Sequence, residues 1–166
     1  EPLTSRQKTV LKLLWLASLP AAYVNTVFTQ TVAYASSEFN ISEQGQGLAA
    51  AIVRWGVVIA IPLAALADRI GRRKIIISLA WLAPLVISLG AFAPSFAVLV
   101  ATQTVGRPLG ISLTVFVLVF ATEEMGTNTR AWALSILAVG SGVGAGSAVG
   151  AIPLAGISDT SWRLVY

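Results

Sequence analysis

Cysteine and histidine are absent from this sequence, and only 11% of its residues are charged. Their absence excludes disulfide frameworks, thiol nucleophiles, imidazole bases and the common zinc sites. The seven acidic residues all lie outside the long apolar runs, so the runs hold no carboxylate pair for acid and base chemistry. We therefore predict that the chain is not an enzyme and that it holds no metal or other cofactor.

Long apolar runs dominate what is present, since 56% of the residues are hydrophobic. A membrane span needs about 20 apolar residues. Five segments meet this length, near residues 13–35, 47–67, 75–93, 96–121 and 131–157, and a sixth begins near Trp162. We predict an all-α, polytopic helical bundle in a lipid bilayer. The net charge is +4, and nine of the eleven basic residues lie outside the five runs, in segments that leave no soluble surface for nucleic acid.

The basic residues fall in alternate connections between the predicted spans. Those on one side are Arg6, Lys8, Lys12, Arg69, Arg72, Arg73, Lys74 and Arg130. The connections on the other side carry Glu38, Glu43 and Asp159, with no Lys or Arg before Arg163. Lys and Arg in short loops mark the cytoplasmic face of a membrane. We therefore predict an integral protein of the plasma (cell inner) membrane with a cytoplasmic N-terminus.

The most specific motif is the charged turn at residues 68–74, which we call the basic loop. It reads Asp-Arg-Ile-Gly-Arg-Arg-Lys and resembles the signature loop between helices two and three of the major facilitator superfamily of secondary transporters. The family pattern has a glycine where this chain has Ala64, a residue still small enough for close helix approach. The next basic-side connection holds Glu123 and Arg130, whose spacing resembles a Glu-x6-Arg pattern in branches of that family.

The resemblance implies a conformational latch that holds one face of the protein closed in one state and releases it in another. Its residues would be Asp68, Arg69, Gly71, Arg72, Arg73, Glu123 and Arg130. Arginines and carboxylates form such contacts through charge-assisted hydrogen bonds. Two alternatives stay open: the basic loop only orients the protein in the membrane, and Glu123 and Arg130 lie in a solvated loop.

The resemblance also implies a fold and a function. The family has twelve spans in two six-helix halves, and residues 1–166 would correspond to the N-terminal half, truncated in the sixth helix. The C-terminal half would then be missing from this chain. The implied function is alternating-access transport, secondary active or facilitative, of a small solute that we expect to be anionic. The alternatives are a non-transporting membrane scaffold or receptor and, with less support, a membrane-embedded enzyme.

Polar residues inside the spans are the candidates for solute binding, because a polar side chain in hydrocarbon is costly unless it faces a cavity or a partner. Arg107 lies near the centre of the fourth span, about 16 Å or more from each surface by helical rise. Gln103 precedes it by four residues and shares its helix face. Together with Asn25 and Gln30 of the first span, these two residues are predicted to line a central cavity and bind the solute.

Both intramembrane arginines have a second interpretation. Arg107 precedes Pro108, which frees the carbonyl of Thr104, so we expect the helix to bend or loosen there. Arg107 would then be structural, bonded to free carbonyls of neighbouring helices. Arg54 in the second span either extends to the interface beside Trp55 or contributes to the transport path.

Glycine is concentrated in the fifth span. Its members are Gly140, Gly142, Gly144, Gly146 and Gly150. The pairs 140/144, 142/146 and 146/150 form overlapping small-x-x-x-small patterns, which allow two helix backbones to approach closely. We predict that these glycines pack against another helix.

Overall fold

A computed structural model describes residues 4–166, and this part of the chain contains no β-strand. Five of its helices are long and apolar enough to cross a membrane. They are α1 (Ser5–Glu38), α2 (Glu43–Ile70), α3 (Arg72–Phe92), α4 (Phe96–Glu124) and α5 (Thr127–Ala155). The prediction of an all-α chain with five helices long and apolar enough for membrane spans is confirmed, and these helices indicate an integral membrane protein.

Polar caps set where the helices begin. The Thr4 hydroxyl accepts a hydrogen bond from the Gln7 backbone N–H, and the Gln7 side chain accepts one from the Thr4 N–H. This reciprocal pair starts α1 well before the predicted span at 13–35. Ser95 caps α4 by accepting from the Val98 N–H. Such side chains satisfy N–H groups that the first helical turn leaves unpaired.

A single residue, Gly71, connects α2 to α3. Its φ of 100° lies in the left-handed region, which glycine adopts without steric cost. The Gly71 N–H bonds to the Ala67 carbonyl at 3.0 Å and ends α2, while the Gly71 carbonyl accepts from the Lys74 N–H at 3.2 Å and starts α3. The turn itself therefore requires the glycine of the basic loop.

The central helix of the bundle is α4. It packs against α1, α2 and α3, and α1 in turn packs along α5. Half of the spanning stretch of α4 (50%) is buried, compared with 17% in α2, so α2 lies at the periphery. Large side chains such as Trp55, Trp81 and Phe92 are exposed on the outer surface. Exposure of these large apolar side chains is favourable where the surface faces lipid hydrocarbon and not water.

Pro108 does not interrupt α4, which stays α-helical through this position. The proline removes the N–H that would bond to the Thr104 carbonyl, and α2 covers this carbonyl instead. A Cβ at Gly56 of α2 would lie only 2.5 Å from the Thr104 oxygen, so the two backbones are in direct contact. The helix that departs from α-helical geometry at this contact is α2, where Gly56–Ile59 forms a 3-10 turn. The expected loosening of the fourth helix is therefore not seen.

Beyond α5 the chain forms a 3-10 helix at Ser161–Val165, where the sequence predicts the start of a sixth span. Trp162 is fully buried, with its ring against Phe39 and Tyr166. The Tyr166 hydroxyl shares a hydrogen bond of 2.8 Å with Thr31 of α1. The C-terminal ends of α1 and α3 lie at one end of the bundle, and the 3-10 helix covers this end.

Candidate functional site

Polar residues of α1 and α4 meet in the interior of the bundle. Asn25 donates from Nδ2 to the Thr114 hydroxyl at 3.4 Å, and this hydroxyl donates to the Gly110 carbonyl at 3.0 Å. Gly110 makes the approach possible, because a Cβ there would lie 2.7 Å from Val24 and 3.0 Å from the Asn25 oxygen. That oxygen, Oδ1, is buried and has no hydrogen-bond partner within residues 4–166. Asn25 therefore keeps one acceptor unused.

Arg107 is half-buried on α4, seven residues before Thr114 and therefore on nearly the same helix face. No carboxylate of the described chain lies within 4.0 Å of its guanidinium group. Arg107 and Thr114 share one face of α4, about 10 Å apart along the helix axis, and Asn25 of α1 contacts Thr114. We call these three residues the cationic site. Arg107 and Asn25 are two of the four predicted solute-binding residues.

Gln103 and Gln30 lie outside the cationic site. Gln103 is fully buried against α3, where a Cβ at Gly90 would lie 2.9 Å from its Nε2. Neither amide atom of Gln103 has a partner among residues 4–166. Gln30 is half-buried, and its five-residue separation from Asn25 turns it by about 140° around α1. Their roles in solute binding stay predictions.

The predicted latch is partly assembled at the end of the bundle that carries the basic loop, which we call the basic face. Arg72 donates to the Glu123 carboxylate and lies 3.6 Å from Asp68. These contacts join the ends of α2, α3 and α4. Asp68 remains largely exposed, with 70% of its side chain accessible, so this ion pair is a surface contact.

α1 joins the basic face through a second ion pair. Arg6 lies 3.0 Å from the Glu124 carboxylate, and Gln7 donates to the Glu124 carbonyl at 3.1 Å. By contrast, Arg69, Arg73 and Arg130 are exposed and make no ion pair within residues 4–166. The structure thus brings Asp68, Arg72 and Glu123 together and leaves three of the predicted latch cations apart.

A third cluster of charged residues, which we did not predict from the sequence, lies at the opposite end of the bundle. Arg163 donates to the Glu38 carboxylate at 2.9 Å and to the carbonyls of Ala91 and Ala93, also at 2.9 Å. Trp162 donates to the second Glu38 oxygen at 2.5 Å, and its ring lies 4.7 Å below the Arg163 guanidinium. We call Glu38, Trp162 and Arg163 the opposite-face cluster.

One sequence signal could have found this cluster. Arg163 is the single basic residue on the predicted non-cytoplasmic side, and Glu38 ends the first span on that same side. A lone cation near a membrane end with acids on neighbouring connections favours a pair. The choice of Glu38 over Glu43 or Asp159 depends on the tertiary fold.

The glycines of α5 divide into two groups. A Cβ at Gly140 would meet Trp15 at 2.8 Å, and one at Gly144 would overlap the Leu19 carbonyl oxygen of α1. At Gly142, Gly146 and Gly150 nothing lies within 4 Å of the Cβ position. Only the 140/144 pattern therefore packs against a helix in the described chain. The other two patterns face the opposite side of α5, because two residues turn the helix by about 200°.

No group of three or more His, Cys, Asp or Glu residues that could hold a metal ion occurs in residues 4–166. Comparison of the chain with protein-family models, with characterised proteins and with solved structures gives no match. The function is therefore argued from the residues and their geometry.

Proposed function

We propose that this protein is a transporter that moves a small anion across a membrane by alternating access, in a secondary active or facilitative manner. The observation that carries the proposal is Arg107, a half-buried cation in a membrane-spanning helix with no ion-pair partner among residues 4–166. A central Arg costs roughly 2.5 to 3.5 kcal/mol on insertion scales. A bound anion would offset this cost, and Asn25 with Thr114 would supply further hydrogen bonds.

The position of the cationic site also supports transport. It lies where two spanning helices meet, and binding sites of secondary transporters lie near the bilayer midplane between helix bundles.

The ion pairs at the two ends of the bundle suit alternating access. Each face of a transporter must open in turn, and charge pairs between helix ends can break and form again as the helices move. We propose that Arg72, Glu123 and Asp68 are the latch of the cytoplasmic face. The resemblance of the basic loop to the major facilitator signature supports assigning the chain to the N-terminal half of such a transporter, in the plasma (cell inner) membrane.

The transport proposal is tested with Arg107→Gln in the full-length protein, reconstituted in vesicles. We expect the wild type to take up members of a panel of labelled monocarboxylates, dicarboxylates and inorganic phosphate in preference to neutral analogues. Arg107→Gln should abolish this preference, because it removes the charge and keeps a polar side chain. Lys8→Gln, which removes one exposed positive charge of α1, is the control and should transport as the wild type does.

Two results would contradict the proposal. Unchanged anion preference in Arg107→Gln would make Arg107 a structural residue. Absence of uptake of every panel member by the folded wild type would favour the scaffold or receptor alternative.

The latch is tested with two adjacent arginines of equal charge. Arg72 pairs with Glu123 and Asp68, whereas Arg73 makes no ion pair in the described chain. Arg72→Gln should slow transport severalfold, and Arg73→Gln should have a milder effect. Neither variant should lower the free energy of unfolding by more than about 1 kcal/mol, since exposed ion pairs contribute little stability. Equal transport rates of the two variants would count against a specific latch at Arg72.

A further inference from the structure

A groove lies on the outer surface of the bundle, between the N-terminal parts of α1 and α5. Its volume is about 620 Å³, and it is lined by Lys8, Lys12, Trp15 and Leu16 of α1 together with Trp132 and Ile136 of α5. Leu16 and Trp132 are each 54% exposed, so the groove is open along its side. We call it the α1–α5 groove.

Two contacts fix how α1 and α5 run beside the groove. A Cβ at Gly140 would lie 2.8 Å from the Trp15 ring, and one at Gly144 would lie 3.0 Å from the Leu19 Cα. Both contacts advance by four residues along each helix, so the two helices run in the same direction. The groove lies on the basic-face side of the Gly144 contact, toward the start of both helices, and its deeper end is inside their membrane-spanning part.

The charge in the groove is positive. Lys8 and Lys12 are one helical turn apart and therefore lie on one face of α1. Both are exposed, and neither takes part in an ion pair within residues 4–166. No acid of the described chain lines the groove, and Glu124, which contacts α1 at the basic face, already pairs with Arg6. The two ammonium groups are thus free to bind an anion.

The other lining residues are apolar or aromatic. Trp132 lies five residues after the start of α5, about 8 Å along the helix. Tryptophan is enriched where a membrane meets water, at the level of the lipid head groups. A lysine near the end of a span extends its ammonium group to that level and keeps its methylene stem in apolar surroundings. The groove therefore joins a cationic end at head-group level to an apolar part at the level of the acyl chains.

We infer that the α1–α5 groove is a binding site for an anionic phospholipid of the bilayer. Lys8 and Lys12 bind the phosphate of the head group, and one acyl chain lies against Trp15, Leu16 and Ile136. Basic pockets between spanning helices bind the head groups of anionic lipids in this way. A soluble phosphate ester would use the lysines alone, whereas a phospholipid occupies both parts of the groove.

The lipid site is separate from the cationic site and does not depend on the proposed transport. Asn25 follows Lys12 by thirteen residues, which is about 20 Å along α1. The cationic site is formed by α1 and α4, and the groove is formed by α1 and α5. Lys8→Gln is therefore still expected to transport as the wild type does.

Lipid binding is measured on the purified full-length protein in detergent by native mass spectrometry, which counts the lipid molecules that stay on each protein. The probes are dioleoyl phosphatidylglycerol, which is anionic, and dioleoyl phosphatidylcholine, which has the same acyl chains and no net charge. We expect the protein to retain one phosphatidylglycerol at a concentration at which it retains no phosphatidylcholine. Glycerol 3-phosphate, a phosphate ester without acyl chains, should not displace the lipid at equal concentration.

Three double variants assign the binding to the groove. Lys8→Gln with Lys12→Gln should lower the affinity for phosphatidylglycerol about tenfold or more, because each lysine near the membrane surface adds to the attraction. Lys8→Arg with Lys12→Arg should keep the preference, since both charges remain. The matched control is Arg73→Gln with Lys74→Gln, which also removes two exposed cations of the basic face but none from the groove. It should bind phosphatidylglycerol as the wild type does.

The inference is overturned if the wild type retains both lipids equally, or if the variant without Lys8 and Lys12 binds phosphatidylglycerol as the wild type does. Equal losses in the two Gln variants would also overturn it, because binding would then follow the total charge of the basic face. Displacement by glycerol 3-phosphate would identify a soluble phosphate as the ligand and reject the lipid. None of these results bears on transport, which is tested at Arg107.

Discussion

Gly144→Leu is expected to separate α1 from α5 and to destabilise the bundle by about 3 kcal/mol. A Cβ at Gly144 would overlap the Leu19 carbonyl oxygen and would lie 3.0 Å from the Leu19 Cα. These are backbone atoms of α1, which cannot rotate away as a side chain can. The helices would have to move apart, and the contact at Gly140, one turn earlier, would be lost as well. The midpoint of thermal unfolding in detergent measures the effect.

Gly142→Leu and Gly146→Leu are matched controls on the same helix. Both positions are open, with nothing within 4 Å of a Cβ. Neither should lower the free energy of unfolding by more than about 0.5 kcal/mol, because leucine is a better helix former than glycine and its Cβ meets no clash. Equal destabilisation of all three variants would show that the effect comes from α5 itself and not from its contact with α1.

Arg163→Gln is expected to open the end of the bundle that bears the opposite-face cluster, at a cost of about 3 kcal/mol. The change leaves the Glu38 carboxylate without its charged partner while only 20% of that side chain is accessible. It also removes the donors to the Ala91 and Ala93 carbonyls, which tie α3 to the C-terminal 3-10 helix. Thermal unfolding of the purified protein measures the loss.

Arg6→Gln is the comparison for Arg163→Gln, because it also breaks an Arg–Glu pair. The two carboxylates are equally accessible, at 20% each, but Arg6 is 80% accessible and Arg163 only 25%, so solvent screens the Arg6 charge more strongly. We expect a loss of no more than about 1 kcal/mol from this exposed pair. If both variants lost the same stability, the burial of Arg163 and its bonds to the Ala91 and Ala93 carbonyls would not be the source of the effect.

The sequence predicts the spanning helices because the property that defines them is local. An apolar run of sufficient length is visible in each segment, and all five runs form helices. The helix ends are harder to predict than the helices. The start of α1, for example, depends on one reciprocal pair of hydrogen bonds between Thr4 and Gln7. The approach of Asn25 to α4 follows the same local logic, because a polar face on an apolar helix must turn inward.

Packing between helices is not readable in this way. Gly142 and Gly144 belong to equivalent patterns in the sequence, and only the rotation of α5 against α1 decides which one meets a backbone. Gln103 shares a helix face with Arg107 by spacing, yet its long side chain lies against Gly90 of α3. Arg163 and Glu38 are 125 positions apart in the chain, so no local pattern pairs them.

The one-residue turn at Gly71 limits how α2 and α3 can move. A longer loop would absorb a displacement of one helix by changing its own dihedral angles, but here a single residue holds bonds to both helices, to Ala67 on one side and Lys74 on the other. A shift of α2 along its axis must therefore pull the start of α3 with it. Since Arg72 begins α3, a shift of α2 also moves the arginine that binds the Glu123 carboxylate of α4.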